Sequence, residues 1–227
     1  MALRGIVFDF DGIIANSEPL HFRAFSDVLA GCGISLSEDA YYTRYLGYDD
    51  VGVFRTVGSD QGVAWNAVQI AAMADRKAAR LEELERGAAV LFPGAELAIR
   101  RAAEVVPIAI ASGALRAEIL RVLDRAGLTR LFAAIVAAED TPVGKPAPDP
   151  YLRAVALLSA ASAVPLAACE CVAVEDSRWG LESARAAGLR TVGVAHTYDA
   201  AALGGADLII ADLSSLTIEA LRAVCGG

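Results

Sequence analysis

The chain has 227 residues, 56% of them hydrophobic, and a formal net charge of −8. That length fits one large domain or a core domain with a smaller insertion, and that composition supplies a sizeable buried core. The negative charge argues against nucleic acid or an anionic membrane surface as a partner.

The chain opens with Met1–Arg4 and a short apolar run that leads straight into Asp9 and Asp11. This is unlike a signal peptide, so the expected location is the cytoplasm. Short apolar runs at Gly5–Phe10, Val105–Ala111, Ala134–Ala138, Cys171–Val174, Thr191–Ala195 and Leu208–Ala211 read as buried strands. Helical composition and period mark Gly94–Glu104, Arg116–Ala126, Pro148–Ser159, Gly180–Ala187 and Ser214–Val224, with Gly127 and Gly188 as C-terminal caps. Strand alternating with helix predicts an α/β fold, a Rossmann-like parallel sheet with helices on both faces.

One block breaks this rhythm. Between Asn16 and Ala89 no buried strand is evident, while Ser17–Ala30, Ser37–Tyr45, Asp49–Thr56 and Val63–Glu85 suit helices. The predicted organisation is therefore a core domain of residues 1–15 and 90–227, interrupted by an all-helical cap domain of residues 16–89 above the end of the first strand. Tyr41, Tyr42, Tyr45, Tyr48 and Trp65 read mainly as the core of that block. The longest apolar tract, near Ala154–Cys169, is broken by Ser159, Ser162 and Pro165. It falls short of the roughly 20 clean apolar residues of a membrane span. Four cysteines do not make a disulfide framework, and Cys169 and Cys171 read as buried free thiols.

The polar residues fall where a parallel sheet places its ligands, outside the carboxyl ends of the strands. Asp9 and Asp11 follow the first strand, Ser112 and Gly113 the second, and Glu175 and Asp176 the fourth. Carboxylates crowded into one crevice repel each other and need a cation or a shared proton. An all-oxygen donor set favours Mg²⁺. Lys145, held between Gly144 and Pro146, supplies a fixed cation that would neutralise a phosphate or an aspartyl phosphate. Ser112 and Gly113, before a helix, offer a hydroxyl and backbone N–H groups to an anion.

Four motifs in this order resemble those of the haloacid dehalogenase-like hydrolase superfamily. They are Phe8–Ile14 with its Asp9-Phe10-Asp11-Gly12, then Ala111-Ser112-Gly113, Gly144–Pro150, and Val174-Glu175-Asp176-Ser177. Glu18-Pro19-Leu20-His21 is similar to the phosphoglycolate phosphatase and β-phosphoglucomutase branch. The resemblance implies that Asp9 is the nucleophile and Asp11 the acid and base. It implies that Asp9, the Asp11 main-chain carbonyl and Asp176 hold Mg²⁺, with Glu175 a direct or indirect ligand. Ser112, Gly113 and Lys145 would receive the phosphoryl group, and His21, at the core–cap hinge, is a candidate substrate-side residue. The second acid, Asp11, separates phosphate chemistry from the dehalogenases proper.

Where the phosphoglucomutases carry an Arg in a cap loop, this chain has Gly47-Tyr48-Asp49-Asp50, and Asn16 stands where the branch more often has Asp. The expectation is a Mg²⁺-dependent phosphatase acting on a small phosphorylated metabolite through an aspartyl phosphate, monomeric by default. A phosphomutase of the same architecture is the alternative, and a phosphorylation-dependent receiver fits the helical insertion poorly.

Overall fold

The computed structural model describes residues 2–46, 48–86 and 90–226. Gly47, in the acidic stretch, and Ala89, at the expected end of the insertion, lie outside them. The chain forms two compact units, one of Met1–Asn16 with Leu91–Gly227 and one of Ser17–Val90.

The larger unit is built on a parallel sheet of β1 (Gly5–Phe8), β2 (Ile108–Ala111), β3 (Phe132–Val136), β4 (Cys171–Glu175), β5 (Arg190–Val194) and β6 (Leu208–Ile210). Their spatial order is β3-β2-β1-β4-β5-β6. β1 pairs with β2 on one side (Val7 with Ala109) and with β4 on the other (Val7 with Ala173). The order reverses between β1 and β4, which is where an open sheet of this Rossmann-like type opens a crevice at its carboxyl edge. Residues of β1, β2 and β4 are buried throughout, as expected of strands covered on both faces.

The helices around the sheet are α5 (Ala95–Ala103), α6 (Arg116–Ala126), α7 (Asp149–Ala160), α8 (Arg178–Ala186) and α9 (Ile218–Gly226). Tyr151, Ala154, Val155 and Leu158 of α7 pack with Val7, Ala109, Ala111 and Ala173 of the sheet in one core cluster. Gly127 and Gly188 both adopt positive φ just after α6 and α8. There the Leu128 and Leu189 amides reach back to Leu123 and Ala184, which closes the helix ends in the expected way.

Several boundaries in this unit differ from the sequence reading, the following four among them. β1 ends at Phe8, although the Asp9 amide still bonds the Val174 carbonyl at 2.9 Å. Val105 lies in an exposed turn after α5, where its amide bonds Ala102. β3 begins at Phe132. The last helix starts at Ile218, because Asp212 first caps a short 3₁₀ turn, Leu213–Ser215. Cys171 is buried, but Cys169 is only partly so.

The smaller unit is helical among its described residues: α1 (Glu18–Ala30), α2 (Glu38–Ala40), α3 (Asp50–Asp60) and α4 (Ala67–Arg86). A five-residue π turn, Tyr41–Tyr45, follows α2 where one continuous helix was expected. Phe25 and Leu29 of α1, Phe54 and Val57 of α3, and Ile70 and Met73 of α4 form its core with Tyr41 and Tyr45. Tyr48 is exposed. Trp65 lines a cavity of about 360 Å³ with Arg55, Ser59 and Ile70. No helix among the described residues is long and apolar enough to cross a membrane.

Candidate active site

The turn after β1 starts with Asp9, whose carboxylate accepts from the Phe10 amide at 2.7 Å. The chain then folds back sharply. The amides of Ile13, Ile14 and Ala15 all point at the Phe10 carbonyl, and Gly12 bonds Ala15. Gly12 sits at φ +75°, and a Cβ there would lie 2.0 Å from Asp176 Oδ2. Only glycine satisfies both the left-handed backbone and that closeness. Gly180, in the first turn of α8, plays the same part for Glu175, whose Oε1 would stand 1.8 Å from an added Cβ.

These clearances let three buried carboxylates converge. Asp9, Glu175 and Asp176 each bring an oxygen within 4.8 Å of the other two. Lys145, in the loop before α7, reaches 2.7 Å from Asp9 Oδ1 and 2.5 Å from Glu175 Oε1. Its loop is tied to α8 by the Ser183 hydroxyl, which donates to the Ala147 carbonyl. Glu175 is fully buried. It also accepts from the Tyr151 hydroxyl at 2.8 Å and the Ser177 hydroxyl at 3.1 Å. Ser177 in turn caps α8 through the Gly180 amide.

The electrostatics follow from this crowding. Burial, then Glu175, push the Asp9 carboxyl well above its ordinary range, and Lys145 only partly opposes them. Burial and Glu175 likewise raise Asp176 to about 7. Burial works against the Lys145 charge, yet Asp9 and Glu175 outweigh it and hold the ammonium form. Burial and Glu175 keep the Tyr151 phenol protonated, so it remains a donor. One lysine thus faces three acids, and positive charge is in deficit. A divalent cation with oxygen ligands fits that deficit and that donor set.

Ser112 lies two residues past Ile110, the partner of Phe8 across β1 and β2, so it stands beside the Asp9 turn. It is buried, and its hydroxyl accepts from the Ala114 amide at 3.0 Å. It does not cap α6, whose capping position is Leu115. Gly113 is exposed, with open space where a Cβ would stand. Asp11 is half-buried in the turn after β1 and bridges Ala15.

His21 belongs to the smaller unit. There its Nδ1 accepts from Lys77 Nζ at 3.1 Å, and the same ammonium bonds Asp50 Oδ1 at 2.7 Å. Lys77 is 1% exposed and lies over the Phe25 ring. Asp49 caps α3 through the Gly52 amide, as its place at a helix start predicts. Sequence reasoning missed the roles of Tyr151 and Lys77. Lys77 had a readable sign, since it falls on the buried stripe of α4 with Ile70, Met73 and Leu81. Tyr151 had none, because its partner lies on a strand distant in sequence.

A family model for haloacid dehalogenase-like hydrolases matches residues 3–188. Protein CbbY of Rhodobacter capsulatus is 35% identical over 97% of this chain and 98% of its own length. Hexitol phosphatase B of Escherichia coli K12 is 32% identical over 82% of this chain and 81% of its own. A crystal structure of a CbbY mutant from Rhodobacter sphaeroides, in complex with xylulose-(1,5)bisphosphate, superposes with a TM-score of 0.80. It is 25% identical and covers 94% of this chain and 96% of that one. With four motifs converging at the switch point of a parallel sheet, and matches that run nearly end to end, this chain belongs to the haloacid dehalogenase-like hydrolase family.

Proposed function

We propose that this protein is a Mg²⁺-dependent phosphatase that releases phosphate from a small phosphorylated sugar through an aspartyl phosphate on Asp9. The observation that carries the reading is the contact of Lys145 Nζ with Asp9 Oδ1, inside a ring of buried acids at the β1–β4 switch point. The names of the relatives support the substrate class. One is a hexitol phosphatase, and another was solved with a sugar bisphosphate.

Asp9 Oδ attacks phosphorus and the ester P–O bond breaks. The leaving oxygen takes a proton from the Asp11 carboxyl. Asp11, now a carboxylate, takes a proton from water as that water attacks phosphorus, the Asp9–phosphorus bond breaks, and inorganic phosphate leaves. Lys145 neutralises charge on the transferring group, and Ser112 donates its hydroxyl to it. Asp9, Asp176 and the Asp11 main-chain carbonyl would hold Mg²⁺, which supplies charge neutralisation and orients the phosphoryl oxygens. Glu175, already engaged with Lys145, Tyr151 and Ser177, serves chiefly to aim Lys145.

The test is phosphate release from a panel of sugar phosphates, phosphoglycolate, nucleotides and an aryl phosphate, with Mg²⁺ and with EDTA. Release should vanish in EDTA and fall by at least about a thousandfold in Asp9→Asn, because the nucleophile is gone. Turnover that survives either change would refute the mechanism.

A further inference from the structure

The larger unit is left by the chain at Asn16 and re-entered at Leu91. The two passages are joined within that unit. The Phe92 amide donates to the Ile14 carbonyl at 3.0 Å, and Ala15 bridges Leu91. His196, in the loop after β5, meets both passages. Its ring stacks on Phe92, with centroids 4.1 Å apart and planes 13° from parallel. Its Nε2 is within hydrogen-bond reach of the Gly12 carbonyl. A carbonyl oxygen only accepts, so Nε2 carries the proton. The next residue, Thr197, hydrogen-bonds the Asp176 carboxylate. One short loop therefore touches both the turn that presents Asp11 and an acid of the candidate metal cluster.

We propose that His196 is a positioning residue of the active site, fixing the Asp11–Gly12 turn by donating from Nε2 to the Gly12 carbonyl while Phe92 holds its ring in plane. The physical need is plain. Gly12 must be glycine to clear Asp176, and glycine is the residue freest to change its backbone angles. The Gly12 carbonyl lies in the Gly12–Ile13 peptide, and a change of ψ at Gly12 that turned this peptide would alter how the Asp11 side of the turn is held. A donor aimed at the Gly12 carbonyl removes that freedom from outside the turn. The stack matters because an exposed histidine edge would sample several rotamers. The kinetic part of this inference rests on the phosphatase reading, so its test includes a measurement that does not.

His196→Phe keeps a ring to stack on Phe92 and deletes the donor. His196→Gln keeps an N–H at a similar reach and deletes the stack. Both are compared with wild type by Mg²⁺-dependent turnover of p-nitrophenyl phosphate and by hydrogen exchange of the Asp11–Ala15 segment in metal-free protein. His196→Phe should lower kcat on the order of tenfold, with KM within about twofold of wild type, because a misplaced catalytic turn costs rate rather than affinity. It should also speed exchange in Asp11–Ala15. His196→Gln should keep more than about a third of kcat, since the hydrogen bond persists. Wild-type kcat and exchange in His196→Phe would overturn the proposal. So would a loss in His196→Gln equal to or larger than that in His196→Phe, because the variant that keeps the donor would then fare no better than the one that deletes it. If wild type does not turn over the aryl phosphate, the phosphatase reading is what fails, and the exchange comparison still decides the role of His196.

Discussion

Asp9 and Asp176 are held protonation-prone by the same burial that makes them useful. With Asp176 raised to about 7, the folded metal-free chain keeps a proton that the unfolded chain has released above about pH 4. Stability then falls as pH climbs between those two values, because the folded state binds more protons there. Mg²⁺ held as proposed would have to displace the same proton, so its apparent affinity should rise with pH through that window and level off above it. Two measurements check this. The metal-free Tm should decline from about pH 5 to about pH 7.5, and the decline should be shallower in Asp176→Asn, which has no proton to lose. Calorimetric Mg²⁺ titrations near neutral pH should report proton release in wild type and less of it in the variant. A wild-type Tm profile as flat as that of Asp176→Asn would contradict the assignment. At this scale the clustering of Asp9, Glu175, Asp176 and Lys145 was legible, because each acid follows or ends an apolar run and the lysine sits in a Gly/Pro loop. Tyr151, His196 and Thr197 were not, since their meaning lies in partners on other strands and turns.

At the scale of elements, α4 carries the sharpest energetic contrast. Its amphipathic stripe includes Lys77, buried over Phe25 with only the Asp50 carboxylate and the His21 ring nitrogen to receive its protons among the described contacts. Asp50 is about a third exposed on its side chain and can be released to water, whereas Lys77 cannot. Breaking the pair from either side is therefore unequal. Asp50→Ala leaves a buried ammonium and should cost about 2–3 kcal/mol, while Lys77→Met fills the same space without charge and should cost less. Urea midpoints of the two variants decide it, and the reverse order would show that the pair is not held by the burial of Lys77. Element types were read correctly from period and composition, and so were both ends of α6, while most other ends were not. Val105 and Val106 look like strand residues because they are β-branched and adjoin Ile108, yet they complete a turn off α5. The π turn at Tyr41–Tyr45 left no sign in the pattern, because the rings that pack on its Tyr41, those of Phe22 and Phe25, lie on α1 and meet it only in space.

At the scale of the molecule, the residues proposed to hold Mg²⁺ all belong to the larger unit. A ligand that binds only the folded form stabilises the cooperative segment that contains its site. Saturating Mg²⁺ should accordingly slow hydrogen exchange in β1, β4 and the turns that follow them, and leave α1, α3 and α4 unchanged. Protection that appears chiefly in the helical unit would place the ion elsewhere. The sheet and the helical block were both visible in the sequence, since a period of two to four residues is a local property. Strand order was not, because nothing local says that β1 lies between β2 and β4.

That central place of β1 carries a consequence for how the protein is made. Synthesis proceeds from the N-terminus, so Gly5–Phe8 leaves the ribosome before the helical unit, before β2 and long before β4. The helices of Ser17–Val90 can pack as they emerge, since their contacts are local. The first strand cannot. It must remain unpaired, apolar and open on both edges until Ile108–Ala111 arrives on one side and Cys171–Glu175 on the other. The aspartate that follows it is thus the earliest part of the active site to be synthesised and among the last to be enclosed. The newborn chain spends that interval with an apolar segment exposed, in the stage when chaperones have most to do.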